Sequence, residues 1–233
     1  MEQRTSCSAL QLQRQLIRTK SQKLSIRAFV SLLQVYCHQE FLVSSGQGLT
    51  DSRDLAGAKA DYKKWLALGN KTPAPIRLSY NDGAGWDKVA SIIVANLKDV
   101  GIPAKLDPFA ADGTYFSKMR SGKGQIIRGG WFADYPIADN FLYPLLHSNS
   151  IGGDNLERYS SATFDSLINS ARSSTNKSFA QSQYRRAEVQ ALRNDVVITQ
   201  TVNRGIATVL ASSTSVFPIT PLGMIVFDQI VKN

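Results

Sequence analysis

The stretch Ile76-Arg77-Leu78-Ser79-Tyr80, Asn81-Asp82-Gly83-Ala84-Gly85, Trp86 through Val100, Gly101, and Ile102 through Phe109 decides the fold class. Ile76 to Tyr80 alternates apolar and polar side chains, the period of a strand with one buried face. The following five residues contain two glycines that accept positive φ, so they read as a turn. From Trp86 the spacing becomes helical: Val89, Ile93, Leu97 and Val100 share one face, and Gly101 closes the helix. Ile102 to Phe109 is the next strand. Strand, helix, strand is a βαβ unit, whose parallel pairing requires a right-handed crossover and predicts an α/β sheet covered by helices.

The same reading extends both ways. Asp54 to Leu68 carries Ala58, Tyr62, Trp65 and Leu66 at helical spacing and stops at Gly69-Asn70, after which Lys71 to Pro75 is an extended linker. Downstream, the expectation is a short helix over Asp112 to Met119 and a third strand over Gln125 to Gly130. Helices are expected over Phe164 to Arg172 and Lys177 to Asn194, and strands over Val196 to Thr201, Gly205 to Ala211 and Met224 to Val231.

The chain of 233 residues, 43% hydrophobic and 19% charged, is long enough to bury a substantial core. Its net charge of +9 is spread out: residues 1 to 50 carry six basic and two acidic groups, residues 71 to 233 seventeen and thirteen. No Lys/Arg cluster outlines a nucleic-acid footprint. Cys7 and Cys37 are the two cysteines, so no disulfide framework is expected in the main domain, and Cys37 beside His38 lacks the second ligand pair of a zinc site. Ala28 to Val43 is too short and too interrupted for a membrane span, and the first 50 residues do not form a clean signal peptide.

After the third strand comes Gly129-Gly130-Trp131-Phe132-Ala133-Asp134-Tyr135-Pro136, then Asn140-Phe141-Leu142. A carboxylate among aromatic rings suits an ammonium ion, the charge pair being supplemented by about 0.5–2 kcal/mol of cation–π attraction. A purely structural reading makes Trp131 a core aromatic and Asp134 the cap of a helix starting near Pro136. The longer pattern adds Asn155, Tyr159 and Phe164-Asp165-Ser166-Leu167-Ile168. From Asp54 to the end it resembles solute-binding protein family 5, the oligopeptide and dipeptide receptors of ABC importers.

That resemblance implies the C-terminal lobe of a type II periplasmic-binding-protein-like (Venus flytrap) fold with the N-terminal lobe missing. Residues 1–50 are then an atypical basic leader expected to be poorly ordered, 51–74 a connecting helix and linker, and 75–218 the α/β solute-binding lobe. Residues 219–233 are a segment that would return to the other lobe. By the same resemblance Asp134 pairs with a peptide's N-terminal ammonium, within a match covering Trp131, Ala133, Asp134 and Tyr135. Arg128 either meets a ligand carboxylate or pairs with a surface acid. Asn81 and Trp86 match the family in location, with the helix N-terminus at Trp86 favouring an anion, although Trp86 also reads as a rim aromatic. Asn155, Tyr159, Phe164 and Asp165 are left to the scaffold.

The implied function is the substrate-binding component of an ABC importer for peptides or another small solute, here a truncated lobe expected to bind peptides weakly or not at all by itself. Its partners would be the importer's membrane subunits, with no nucleic acid, cofactor or metal, and its family location is periplasmic or extracellular. The alternatives are a hydrolase-like enzyme using carboxylates and a basic nucleic-acid-binding protein. Against an enzyme, the chain has no Gly-x-Ser-x-Gly elbow, no His-Glu-x-x-His and no phosphate loop. Its two histidines are His38 and His147, the latter read as a helix-end cap, and Asp139 is the one acid close to Asp134 in sequence.

Overall fold

The computed structural model describes residues 30–36, 54–71, 74–83, 85–110, 113–202, 212–216 and 225–232. Strand β1 (Val30–Tyr36) is followed by helix α1 (Leu55–Ala67), β2 (Ile76–Asn81), α2 (Trp86–Val100) and β3 (Ala104–Phe109). Then come α3 (Thr114–Arg120), β4 (Ile126–Phe132), α4 (Asp139–Leu146), α5 (Ala162–Ser173), α6 (Lys177–Val189) and β5 (Ile198–Val202). The chain ends in a short antiparallel pair, β6 (Thr214–Val216) with β7 (Val231–Lys232).

Five strands form one sheet in the order β3-β2-β4-β1-β5, every neighbouring pair parallel. The βαβ unit is present as read. Gly101 takes φ +101° in the left-handed region, and Ile102 N–H reaches back to Leu97 O at 2.9 Å, so the glycine ends α2 where the sequence placed the stop. Asp54 caps α1 by accepting from Gly57 N–H at 2.7 Å. Pro108 fits within β3 because that strand is the sheet's edge, where an absent N–H costs little.

Three apolar clusters fix the helices to the sheet. Leu78 and Ile126 pack with Ile93 and Leu97 of α2 and with Ala58 of α1. Ile127, facing the other way, packs with Tyr115 and Met119 of α3. Phe141, Phe164, Ile168 and Ala187 join α4, α5 and α6 to Ile198. Gly124 sits where the second cluster leaves no room: a Cβ there would collide with Ile127 Cγ2 and come within 2.9 Å of Met119 Sδ. Gly124→Ala is therefore expected to lower stability by about 1–3 kcal/mol, read as a drop in the thermal midpoint.

Four expectations change. Val30–Tyr36 lies inside the stretch read as a poorly ordered leader, yet its backbone pairs with β4 on one side and β5 on the other. Helix Lys177–Asn194 divides into α6 and a π-turn over Gln190–Asn194. The helix after the aromatic motif begins at Asp139 rather than near Pro136, so Asp134 is not its cap. The end of the chain is not one strand from Met224: a 3-10 turn at Phe227–Gln229 precedes the two residues of β7. The remaining residues of 1–50, including Cys7, Cys37 and His38, and the strand expected at Gly205 to Ala211 lie outside the described residues.

Candidate functional site

The strand order reverses direction between β2 and β4: from β2 the chain proceeds to β3 on one side, and β4 starts the other side. Ligands of open α/β sheets bind at such a point, outside the carboxyl ends of the strands. Here β2 and β4 pair only at Leu78↔Ile126 and Ser79↔Ile127. The hydroxyl of Tyr115, fully buried, lies 2.9 Å from Ser79 O and 2.7 Å from Arg128 O, sharing its proton between the two strands. Burial, partly offset by Arg128, pushes this hydroxyl's pKa up and keeps it a donor.

On the α2 side of this edge the structure brings three expected site residues together. The Arg128 guanidinium lies 3.8 Å from the centre of the Trp86 ring, and its Nη1 donates to Asn81 Oδ1 at 3.0 Å. Trp86 is 7% exposed, so it is a buried platform for Arg128 and not a rim aromatic.

The other three expected residues gather where β4 ends. Trp131 Nε1 donates to Asn140 Oδ1 at 3.1 Å, and Asp134 N–H donates to the same oxygen at 2.9 Å. Asn140 Nδ2 in turn donates to Asp134 Oδ2 at 3.4 Å. Asp134 is exposed, and no Lys or Arg among the described residues pairs with it. Its sequence neighbours Phe132, Tyr135 and Ile137 are exposed, whereas Trp131 packs partly into the α4–α5–α6 core. A cavity backs Trp131, between Phe116 and Arg120 of α3 and Leu145 of α4.

Tyr135 is held from below. Its hydroxyl donates to Asp139 Oδ2 at 2.8 Å; burial, and then this bond to a carboxylate, raise its pKa. Asp139 is 6% exposed and also receives Tyr184 OH at 3.3 Å, with Arg172 Nε 3.7 Å away. Burial first, and the Asp139 charge second, push the Tyr184 hydroxyl up to about 12. Asp139 is thus a buried anchor for Tyr135 rather than a partner acid for Asp134. Arg128 lies within β4 and Asp134 two residues past its end, so the two groups are set apart along the strand direction.

The scaffold assignments agree with the geometry. Asn155 is buried and bonds His147 O and both main-chain groups of Tyr159. Asp165 accepts from Ser148 N–H. His147 stands at the end of α4, where its main-chain N–H donates to Tyr143 O at 3.1 Å, and its Nδ1 accepts from Asn149 N–H at 3.1 Å to cap the 3-10 turn that follows. Sequence reasoning missed the role of Asn140, although it stood in the quoted pattern. The available signal was its place at the start of a helix, where a short amide turns back over the preceding loop. Among the described residues no cluster of three or more His, Cys, Asp or Glu side chains suits a metal, and no helix is long and apolar enough to cross a membrane.

Residues 44–153 match the sequence model of the bacterial extracellular solute-binding proteins, family 5, in its middle region. Heme-binding protein A of Haemophilus influenzae is 35% identical over 104 residues, 44% of this chain and 18% of that protein. The dipeptide-binding protein of Pseudomonas aeruginosa is 26% identical over 159 residues, 68% of this chain and 29% of that protein. The fold is similar to that of Haemophilus influenzae OppA in complex with the peptide RPPGFSPFR, with a TM-score of 0.61 at 21% identity over 86% of this chain and 39% of that one. The chain therefore spans less than a third of these two curated relatives. The matched stretch makes residues 44–153 similar to the middle region of the bacterial extracellular solute-binding proteins of family 5, and the parallel sheet is the fold that the solved peptide receptors share.

Proposed function

We propose that the chain contributes the ammonium-binding side of a peptide-binding cleft in the solute receptor of an ABC importer, acting outside the cytoplasmic membrane and delivering its cargo to the importer's membrane subunits. One observation supports this most: an exposed Asp134 carboxylate, held by Asn140, next in sequence to the exposed Tyr135 and close in sequence to Phe132 and Trp131, with no cationic partner among the described residues. It is a ready-made counter-charge for a cation that arrives from solution. Arg128, stacked on Trp86 and bonded to Asn81, is the complementary cation further along the same edge.

A catalytic role has less support, because Asp139 is committed to Tyr135, Tyr184 and Arg172. The more identical relative is named for heme, but at this edge the hydroxyls of Tyr135 and Tyr115 are committed to Asp139 and to the Ser79 and Arg128 carbonyls. Calorimetry with trialanine and N-acetyltrialanine at millimolar concentration tests the proposal. Trialanine is expected to bind at least about tenfold more tightly, the smaller end of what a charged hydrogen bond contributes. Equal affinities, or no binding of either, would remove the ammonium site from the reading.

A further inference from the structure

Asn140 is the second residue of α4 and is 3% exposed, yet its single amide touches three separate parts of the aromatic motif. Oδ1 accepts from the Trp131 indole at 3.1 Å and from the Asp134 main chain at 2.9 Å; Nδ2 donates to Asp134 Oδ2 at 3.4 Å. Because an amide is planar and presents acceptor and donor in fixed relation, these bonds set ring, backbone and carboxylate relative to one another. The type of residue matters as much as the geometry. A Lys or Arg here would neutralise Asp134 before any ligand arrived, and a hydrocarbon would leave the part-buried indole N–H and the Asp134 N–H without their acceptor. A neutral amide orients the carboxylate and leaves its charge available. Asp134 Oδ1 takes no bond from a described residue.

The geometry points to Asn140 as the positioning residue that gives this site its preference for an ammonium group. This inference rests on the ammonium reading of Asp134 and adds the residue that makes an exposed carboxylate selective. Burial at 3% marks Asn140 as part of the scaffold too, so loss of stability on substitution decides nothing by itself. The test must read orientation and ligand discrimination separately.

The chain has three tryptophans, Trp65, Trp86 and Trp131, and hence three indole N–H resonances. In the ligand-free chain, Asn140→Ala should displace the Trp131 indole resonance and leave those of Trp65 and Trp86 in place. In binding, Asn140→Ala should reduce the preference for trialanine over N-acetyltrialanine by about five- to tenfold, while the affinity for the acetylated peptide changes little. An unmoved Trp131 resonance in Asn140→Ala would overturn the proposal at its geometric base. A moved resonance with unchanged preference would also overturn it, provided Asp134→Ala abolishes the preference: Asn140 would then be an anchor only, and the ammonium reading would stand. If the unsubstituted chain shows no preference, or Asp134→Ala leaves it intact, the ammonium reading itself fails and this inference with it.

Discussion

Tyr115→Ala is expected to cost about 3–5 kcal/mol of folding stability, the range for truncating a large buried aromatic. The ring is fully buried against Ile127, Met119 and Leu156, and it meets Phe109 and Phe116 edge-on at 5.4 and 5.0 Å between centroids. Its hydroxyl adds a second contribution, because β2 and β4 share few ladder bonds and Tyr115 ties the carbonyls of Ser79 and Arg128 across them. Tyr115→Phe isolates that part and should cost about 1–3 kcal/mol, the penalty for leaving buried carbonyls without their donor. Urea denaturation of both variants checks the pair of values. If Tyr115→Phe is neutral, the two strands do not depend on the phenol, and Arg128 takes its position from Trp86 and Asn81 alone.

Asp134→Ala carries the largest expected effect on binding. Losing a charged hydrogen-bond acceptor should weaken a free-amine peptide by about 1.5–3 kcal/mol, some ten- to more than a hundredfold in affinity. The same substitution should hardly alter binding of the N-acetylated peptide, which has no ammonium to pair. Folding should be little affected, since the Asp134 side chain is exposed and the Asn140 contacts to Trp131 and to the residue 134 main chain survive the change. Calorimetry with both peptides on the variant supplies the check. Equal losses for the two ligands would mean that Asp134 shapes the loop and does not recognise the amine.

Much of this was legible in the residues, for local reasons. Helix α2 declares itself by an apolar stripe and a glycine stop, and both act within a few residues of where they are written. Asn81, Trp86 and Arg128 were each legible as candidates, but their meeting depends on β2 lying beside β4, a pairing between distant segments that no local pattern encodes. Strand β1 was not legible, because Val30-Ser31-Leu32-Leu33-Gln34-Val35-Tyr36 owes its place to strands far away in sequence. Met224 to Val231 misled because apolar residues predominate in it, whereas the chain spends Phe227 on an exposed turn. Asn140 escaped for a third reason. Its work depends on how the loop over Ala133 to Ala138 folds back onto α4, and no periodicity encodes that.

The position of β1 also has a consequence in time. Among the described strands it is the earliest in sequence, but its partner in β4 lies about 100 residues later and the one in β5 well over 150. At about 5–20 residues per second, the segment waits roughly 5–20 seconds for its first neighbour and longer for the second, with both backbone edges unpaired. The sheet's middle is therefore among the last parts to close, and pairing across such sequence distances is intrinsically slow. A newborn chain of this design is most vulnerable to self-association, and most in need of a chaperone, during that interval and through its own second strand slot.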